Sequence, residues 1–276
     1  MWCSLNGQLM PIEQASISPM DRGFLFGDGV YEVMARVDGR IRAQSLHAAR
    51  LKSSLDAIGL DVSVEDVFVD LERLVTKSDL LDAKIYVQIT RGAAPVRDHA
   101  FPQTISPTVF LSVSEFKATS HGPSRAIVRP DIRWRRNSIK SVSLLGNVLL
   151  MQEAREAGAH EAILYRDDWV TEASTSNVFM IRGQQLVTPP LSELILPGIT
   201  RHLVIELAGV VGLDVIEEPI AVNALAASDG VFVSSSTRGL MPIIELDPGG
   251  PVGDGILTDA FKALQDAYDE RLHHHD

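Results

Sequence analysis

The chain has 276 residues, of which 45% are hydrophobic, and it carries a net charge of -11. This length and apolar content predict a globular protein with a substantial core and room for two domains. The acidic excess disfavours nucleic acid and anionic membranes as partners, and no apolar run is long enough to span a bilayer. The stretch MWCSLNGQLM lacks the features of a signal peptide, and the single cysteine, Cys3, cannot form an internal disulfide, so we expect a cytoplasmic protein.

The N-terminal half alternates short strands with two helices. The Asn-Gly pair in NGQL predicts a hairpin turn, and VYEVMARVDGRIRA predicts two strands joined by an Asp-Gly turn. One helix is predicted to start after Ser45 and run down to Gly59, and Ser63 is predicted to open a second one. Apolar and polar residues alternate in the segments KIYVQIT and TVFLSVSEF, which predicts two strands. The polar loop RGAAPVRDHAFPQTISP lies between them.

The stretch KATSHGPS is small and polar, contains a Gly-Pro pair, and predicts a linker. We therefore expect an N-terminal α+β domain at 1–118, a linker at 119–123 and a C-terminal domain at 124–276. The C-terminal part is expected to contain a strand RAIVRPDIRW, a helix from about Leu144 to Gly158 and a helix beginning LPGITRHLVIEL. Three histidines in the final HHHD, without other ligands, make a weak metal site, so no metal is expected.

Lys140, in RRNSIKSVSLLGNVLLMQEA, stands between an extended segment and an apolar helix. The other lysines of the chain lie where solvated lysines usually lie. An amine that attacks an aldehyde must be partly desolvated, so that its free form is accessible at neutral pH, and a setting of small serines and apolar residues suits this. The alternative is that Lys140 only extends from an interior strand to solvent.

Two further segments offer hydrogen-bond donors. LPGITRHLVIEL places Pro197 and Gly198 before a helix whose first free N–H groups, those of Ile199 and Thr200, favour an anion such as phosphate. An ordinary helix start has the same pattern. The hydroxyl groups of SSST, residues 234–237, follow an apolar strand and are either donors to a ligand or turn residues.

Glu172 lies in VTEASTSNVF, in a predicted strand beside small hydroxyl residues. A carboxylate in that setting could hold a proton on a ring nitrogen of a ligand. The alternative is a solvated charge on a strand, which is common.

Five motifs together resemble one family: DRGFLFGDGVYEV, SIKSVSLLGNVL, TEASTSNVF, LPGITR and VFVSSSTRGLMPI. In this order and spacing they are similar to the pyridoxal-phosphate enzymes of fold type IV, which include D-amino acid and branched-chain aminotransferases and aminodeoxychorismate lyase. The resemblance implies an α+β, two-domain fold of the D-amino acid aminotransferase-like kind. It also implies pyridoxal 5'-phosphate as cofactor and an α/β-barrel-like C-terminal domain carrying the cofactor lysine.

The resemblance assigns roles to individual residues. Lys140 would hold the cofactor as a Schiff base and move the proton at the substrate Cα, and Glu172 would keep the ring nitrogen protonated. The phosphate would be held by Arg50, the N–H groups of Ile199 and Thr200, and the hydroxyl of Ser236 or Thr237.

Within the family, VYEV and the later RDH are similar to the motifs that bind the substrate carboxylate in D-amino acid aminotransferases. They fall on Tyr31, Arg97 and His99, and Arg22 and Arg91 could be mistaken for this clamp. By resemblance the loop reaches the neighbouring active site of a homodimer whose sites are shared across the interface. The implied substrates are a D-amino acid, such as D-alanine, and a 2-oxo acid, such as 2-oxoglutarate.

Three alternatives remain open at this point. A branched-chain L-aminotransferase shares the cofactor machinery, but the family pattern then has Gly where this chain has Val33, and it lacks an Arg-x-His loop. An aminodeoxychorismate lyase would use the same lysine to expel pyruvate. A protein that binds the cofactor without turnover is disfavoured by the presence of both Lys140 and Glu172.

Overall fold

The computed structural model describes residues 1–104, 106–117 and 122–273. By its internal contacts the chain forms two compact units, the first comprising Met1–Lys117 and Ile139–Leu144, the second Ala118–Ser138 and Leu145–Asp276. The predicted linker at 119–123 lies outside the described residues except for Gly122 and Pro123. The domain limits 1–118 and 124–276 stay a prediction.

The first unit is built on one antiparallel sheet. Its strands are β1 (Trp2–Leu5), β2 (Gln8–Pro11), β3 (Gly29–Val37), β4 (Arg40–Ile41), β5 (Ala83–Thr90) and β6 (Thr108–Glu115). They lie in the order β2-β1-β6-β5-β3-β4. The predicted hairpin turn is confirmed, because β1 and β2 pair around Asn6 and Gly7, both with positive φ.

Three helices of the first unit are α1 (Arg22–Phe26), α2 (Gln44–Ala57) and α3 (Val64–Ser78). The predicted cap of α3 is confirmed, since the Ser63 side chain accepts a hydrogen bond from the Asp66 N–H. Helices α2 and α3 pack on the sheet, and the fully buried Leu51, Leu71 and Ile85 belong to the core between them. The sequence does not predict α1.

The segment Ile139–Leu144 belongs to the first unit, although the predicted domain limits assign Lys140 to the second. The reason is main-chain pairing: Ser141 forms an isolated antiparallel bridge with Val30 of β3, and the Val142 N–H donates to the Gly29 carbonyl at 3.1 Å. Strand β4 pairs only with the far end of β3, so this segment occupies the edge near the start of β3. The sheet of the first unit thereby holds Lys140.

The second unit contains a mixed nine-stranded sheet. Its strands are β7 (Ser124–Pro130), β8 (Glu161–Arg166), β9 (Trp169–Ala173), β10 (Asn177–Arg182), β11 (Gln185–Thr188), β12 (Asp214–Glu217), β13 (Gly230–Ser235), β14 (Gly239–Asp247) and β15 (Gly250–Pro251). Their order is β12-β11-β10-β13-β14-β7-β8-β9, and β15 pairs with β14. The neighbours β11 and β12, β14 and β7, and β7 and β8 are parallel.

The helices of the second unit are α4 (Leu145–Glu156), α5 (Ile199–Val210) and α6 (Asp259–His273). The predicted strand RAIVRPDIRW is too long, because β7 ends at Pro130. There the Asp131 carboxylate accepts a hydrogen bond from the Arg133 N–H at 3.0 Å, a local turn that ends the extended pairing.

Candidate active site

Lys140 lies in its extended segment with both main-chain groups bonded. Its carbonyl accepts a hydrogen bond from the Tyr31 N–H at 2.9 Å, and its own N–H donates to Ser54 Oγ at 3.3 Å. The side chain is half-buried, and Nζ lies 4.3 Å from the centroid of the Tyr31 ring, which also packs against Tyr86. The predicted reactive amine is therefore next to a predicted substrate-binding residue.

Arg50, the predicted phosphate ligand, belongs to a buried cluster with Glu32 and His47. Arg50 Nε and Nη2 donate to the two carboxylate oxygens of Glu32 at 2.7 and 2.8 Å, and His47 Nδ1 lies 2.7 Å from Glu32 Oε2. His47 and Arg50 are three residues apart on α2 and so share a face that meets Glu32 of β3. Neither Glu32 nor His47 is predicted from the sequence, although VYEV contains the glutamate.

The cluster holds Glu32 as a carboxylate. Burial by itself raises the pKa of Glu32, but the charge and hydrogen bonds of Arg50, with those of His47, outweigh burial and lower the pKa to about 2. Burial also lowers the pKa of His47, against the attraction of Glu32. Two charge-assisted hydrogen bonds from Arg50 to an ionised Glu32 therefore fix the guanidinium in one orientation.

We expect this cluster to make the protein sensitive to acid. Because the folded-state pKa of Glu32 is about 2 and its ordinary value is 4.5, the carboxylate stabilises the fold above pH 4.5, and this contribution is lost as the pH falls towards 2. Such a shift corresponds to about 3 kcal/mol. Glu32→Gln should therefore unfold at lower urea concentration than the wild type at pH 7, and the difference should narrow at pH 3.

Urea unfolding followed by circular dichroism measures this difference at each pH. Glu65→Gln, at an exposed position of α3, is the matched control and should behave like the wild type. A difference between the wild type and Glu32→Gln that stays constant from pH 7 to pH 3 contradicts the ion-pair explanation.

Arg97 and His99 lie in the loop after β5, and both side chains are exposed. Both contact Phe26 of α1: the Arg97 guanidinium carbon lies 4.8 Å from the ring centroid, and the His99 ring centroid lies 5.2 Å from it. The structure thus brings the two predicted carboxylate ligands together on one aromatic ring. Their polar groups remain accessible.

Arg22 and Arg91 have a different setting from Arg97. They are 3% and 1% exposed, and both donate to Asp28, from Nε at 2.8 and 2.9 Å. Both guanidinium groups already donate to Asp28 and to main-chain carbonyl oxygens, so neither presents its donors to a substrate carboxylate. The two are therefore excluded as the clamp.

Glu172 of β9 is buried in the second unit and paired with Arg133, whose Nη1 donates to Oε1 at 2.5 Å. Arg133 also donates to both carboxylate oxygens of Asp131, from Nε at 2.9 Å and Nη2 at 2.8 Å. Burial raises the pKa of Glu172 to about 7, although the charge of Arg133 opposes the rise. A carboxyl group with a pKa near neutrality can share a proton with a basic nitrogen.

The second carboxylate oxygen of Glu172 is bound to the segment that precedes α5. It accepts hydrogen bonds from the Leu196 N–H at 3.1 Å and from Asn177 Nδ2 at 3.2 Å. Asn177 Oδ1 lies so close to Gly198 that a Cβ at this position would come within 1.9 Å of it. A larger residue at position 198 would displace the Asn177 side chain, which donates to Glu172, so glycine suits the point where the chain enters α5.

Ile199 and Thr200 are the first two residues of α5, and both are buried. The preceding Gly198 provides no side-chain hydrogen bond to cap the helix. The first N–H groups of an α-helix have no partner within the helix, so this end suits a bound anion.

Ser236 and Thr237, the predicted hydroxyl ligands, lie half-buried in the turn after β13. Directly before them, the hydroxyl oxygens of Ser234 and Ser235 are buried and have no hydrogen-bond partner among the described residues. An unsatisfied buried hydroxyl is costly, which makes these two groups further candidates for binding an anion. The SSST motif contains all four residues, but spacing alone does not distinguish among them.

Arg238 fixes the same turn. Its Nη2 donates to Glu161 Oε2 at 2.5 Å and to Ser176 Oγ at 3.0 Å. Thr175 Oγ1 also donates to Glu161 Oε2, at 2.6 Å. The turn after β13 and the turn between β9 and β10 are therefore tied to one buried carboxylate.

Over residues 1–104, 106–117 and 122–273, no group of three or more His, Cys, Asp and Glu side chains could hold a metal ion. Over the same ranges, no helix combines the length and apolar character needed to cross a membrane.

Comparison with known proteins gives matches over nearly the whole chain. D-alanine aminotransferase of Staphylococcus epidermidis is 36% identical over an alignment of 280 positions that covers 98% of this chain and 98% of the relative. D-alanine aminotransferase of Bacillus licheniformis is 38% identical over an alignment of 268 positions that covers 95% of this chain and 94% of the relative. The crystal structure of a branched-chain aminotransferase from Thermoproteus uzoniensis with norvaline matches with a TM-score of 0.88 and 26% identity, covering 98% of this chain and 94% of that one.

Residues 29–246 match the family model described as amino-transferase class IV. The family resemblance inferred from the five motifs is therefore confirmed, together with the fold type IV architecture and with pyridoxal phosphate as the cofactor. The match to the family model covers most of the sequence, and the matches to the two D-alanine aminotransferases cover almost all of it. The chain belongs to the class IV aminotransferases.

Proposed function

We propose that this chain transfers an amino group reversibly between a D-amino acid, D-alanine in the first place, and a 2-oxo acid such as 2-oxoglutarate. The observation that carries the proposal is the 36% and 38% identity to two D-alanine aminotransferases along nearly the full length. The branched-chain aminotransferase that matches in structure is 26% identical. Because one fold serves several substrates, the closer sequence match is the better guide to the substrate.

Pyridoxal phosphate fits the residues that are present. The unpaired hydroxyls of Ser234 and Ser235 and the uncapped start of α5 are donors suited to a phosphate group. The buried carboxyl group of Glu172, with its pKa of about 7, suits a pyridine nitrogen. The half-buried amine of Lys140 suits an aldehyde.

We assign the predicted site residues to the cofactor. Lys140 binds its aldehyde, Arg50 its phosphate and Glu172 its ring nitrogen. The remaining phosphate ligands are the N–H groups of Ile199 and Thr200 and the hydroxyls of Ser236 and Thr237, and the unpaired hydroxyls of Ser234 and Ser235 are further candidates. The bound cofactor supplies an aldehyde that receives the amino group and a ring that takes up the electrons left at the substrate Cα.

The chain's own residues then perform four tasks. Lys140 Nζ removes the proton from the substrate Cα and returns a proton on the product side. Glu172 holds a proton on the ring nitrogen. Arg97 donates two parallel hydrogen bonds to the substrate carboxylate, and Tyr31 and His99 add donors. With carboxylate and amino group both fixed, only one enantiomer directs its Cα hydrogen towards Lys140.

We further propose a cytoplasmic homodimer in which the loop of one subunit serves the active site of the other. Exposed apolar side chains support an interface: Phe24, Val96 and Phe101 in the first unit, and Leu145, Val148 and Leu149 in the second. The latter three recur at helical spacing along one face of α4. The single cysteine, Cys3, is unpaired and buried, as suits a reducing compartment.

The substrate class is tested by assaying D-alanine and L-leucine separately with 2-oxoglutarate. We expect D-alanine to be turned over with at least about a hundredfold higher kcat/KM, which is about 3 kcal/mol of discrimination. Each wild-type preparation is assayed with D-leucine as well, to separate handedness from side-chain size. Faster turnover of L-leucine than of D-alanine would show that the D-specific proposal is wrong.

We expect Arg97→Ala to lower kcat/KM for D-alanine by about a hundredfold, because charge-assisted hydrogen bonds to the carboxylate are lost. The cofactor should stay bound, since Arg97 is not among its ligands. Arg73→Ala, at an exposed arginine of α3, is the matched control and should retain full activity.

A shared active site predicts complementation between two inactive variants. Co-expression of Arg97→Ala and Lys140→Ala subunits under two tags should give heterodimers in which one site has both an intact loop and an intact lysine. These heterodimers should recover up to about half of the wild-type activity. If tag-purified heterodimers stay inactive while wild-type controls work, the loop does not act across the interface.

A further inference from the structure

Arg22 has an unusual set of partners. Its guanidinium donates to main-chain carbonyl oxygens of three consecutive loop residues: Asp98 at 2.6 Å, His99 at 3.1 Å and Ala100 at 3.2 Å. Its Nε donates to Asp28 Oδ2 at 2.8 Å. The side chain of this buried arginine thus donates most of its hydrogen bonds to the main chain of an exposed loop.

A second arginine supports the same loop at its end. Arg91 donates from Nε and Nη2 to Asp28 at 2.9 and 3.1 Å and from Nη2 to the Ile58 carbonyl at 2.7 Å. Its guanidinium carbon lies 3.6 Å from the centroid of the Phe101 ring, which is 60% exposed. A cation over the face of an aromatic ring is a stabilising contact. Asp28 therefore pairs with two buried arginines that contact neighbouring parts of the loop: Arg22 contacts residues 98–100, and Arg91 contacts Phe101.

The base of the loop is constrained independently. Gly92 has a φ of +81°, and a Cβ there would come within 1.8 Å of the Ser106 carbonyl oxygen. The Arg22 N–H donates to the Gly92 carbonyl at 2.9 Å. The entrance of the loop is thus set by the main chain, whereas its outer part, which carries Arg97 and His99, is held by the side chain of Arg22.

We infer that Arg22 is a positioning residue for substrate recognition, because it fixes the loop that presents Arg97 and His99. The ring of Phe26 contacts both arginines. The Arg22 guanidinium carbon is 4.9 Å from its centroid, and the Arg97 guanidinium carbon is 4.8 Å from it. The role assigned to Arg22 is indirect, because its guanidinium donates to Asp28 and to the main chain of the loop. The inference rests on the proposed role of Arg97 in binding the substrate carboxylate.

The test begins with Arg22→Lys, which keeps a cation next to Asp28 but replaces the five-donor planar fork with one ammonium group. The holoenzyme should be cleaved faster by trypsin at the Arg97–Asp98 bond, by about tenfold, because at least one main-chain hydrogen bond is lost. The KM for D-alanine should rise about tenfold while kcat changes by less than about threefold. Mass spectrometry identifies the cleaved bond, and Arg73→Lys is the matched control that should change neither quantity.

A double-mutant cycle separates positioning from general destabilisation. If Arg22 acts through Arg97, Arg22→Lys should lower kcat/KM in the wild type but have almost no further effect in Arg97→Ala. Additive losses, or an unchanged cleavage rate at Arg97–Asp98 in Arg22→Lys, overturn the inference.

Phe101→Leu provides a second variant that leaves all buried charges in place. It removes the ring whose centroid lies 3.6 Å from the Arg91 guanidinium carbon and 5.8 Å from that of Arg22. Phe101 is exposed within the subunit, so the subunit should fold, and size-exclusion chromatography checks that the dimer is retained. Phe101→Leu should also raise the cleavage rate and KM, and unchanged values for both overturn the inference even if Arg22→Lys does not fold. The proposed role of Arg97 fails differently, because Arg97→Ala then retains full kcat/KM for D-alanine whatever the cleavage rates are. The proposed function itself fails if the wild type turns over L-leucine faster than D-alanine.

Discussion

Lys140→Ala should abolish amino transfer from D-alanine. Lys140 is assigned both the covalent hold on the cofactor and the proton transfer at the substrate Cα, so turnover should fall by about ten-thousandfold or more. The hydrogen bonds that fix this segment use the main chain of Lys140, to Tyr31 and Ser54, and alanine retains them. The variant should therefore fold and keep the segment in place.

Two measurements check this result. Steady-state turnover is one; the other is sodium borohydride treatment of the holoenzyme, which should leave the reduced cofactor on the peptide that contains Lys140. Lys84→Ala, at an exposed lysine of β5, is the matched control and should retain both turnover and labelling. Recovery of the label on a peptide with any other lysine would overturn the assignment.

Elements that depend on neighbours in sequence are predictable here. The Asn6-Gly7 hairpin and the Ser63 cap of α3 were both expected from residues within a few positions of each other, and the structure confirms both. Helix α1, Arg22–Phe26, was not expected because five residues are too few to display a helical period. Its boundaries are set instead by the Asp21 side chain, which caps Gly23, and by Gly27 in a left-handed conformation.

The position of Lys140 depends on pairing over a long distance in sequence. Its segment pairs with β3, about a hundred residues earlier, so no local pattern could assign it to the first unit. The chemical setting of Lys140 is local, because it depends on the small and apolar residues on either side of it. The sequence therefore predicts the reactive residue but not the sheet that holds it.

The two charged clusters, around Glu32 and around Glu172, are the features that are hardest to predict from the sequence. Glu32 is held by residues of α2, and Glu172 by Arg133, which precedes it by 39 positions. Each of these side chains read alone is a plausible solvated charge. Only the folded chain shows that these side chains are buried. It also shows that different partners give the two glutamates different pKa values, about 2 for Glu32 and about 7 for Glu172.

Glu172→Gln should slow the chemical step by about a thousandfold, equivalent to about 4 kcal/mol. In the proposed assignment the carboxylate keeps a proton on the ring nitrogen of the bound cofactor, and a neutral amide cannot do so. Cofactor affinity should change much less, since the phosphate ligands are untouched.

The substitution should leave the surrounding network in place. Arg133 keeps both hydrogen bonds to Asp131, so its charge remains paired after Glu172 loses its own. The glutamine oxygen can still accept from the Leu196 N–H, which Glu172 Oε2 accepts at 3.1 Å in the wild type. Gln and Glu have nearly the same volume, and a change in folding is therefore not the expected cause of the lost rate.

Comparison with Glu172→Asp separates charge from side-chain length. Aspartate keeps the negative charge but shortens the side chain by one methylene, so the half-reaction with D-alanine, followed by absorbance in a single turnover, should be slowed less than in Glu172→Gln. Glu218→Gln, at a half-buried position directly after β12 of the same unit, is the matched control and should react like the wild type. If Glu172→Gln reacts as fast as the wild type, Glu172 is only a structural partner of Arg133. If Glu172→Asp is instead the slower of the two, the exact reach of the carboxylate, rather than its charge, limits the reaction.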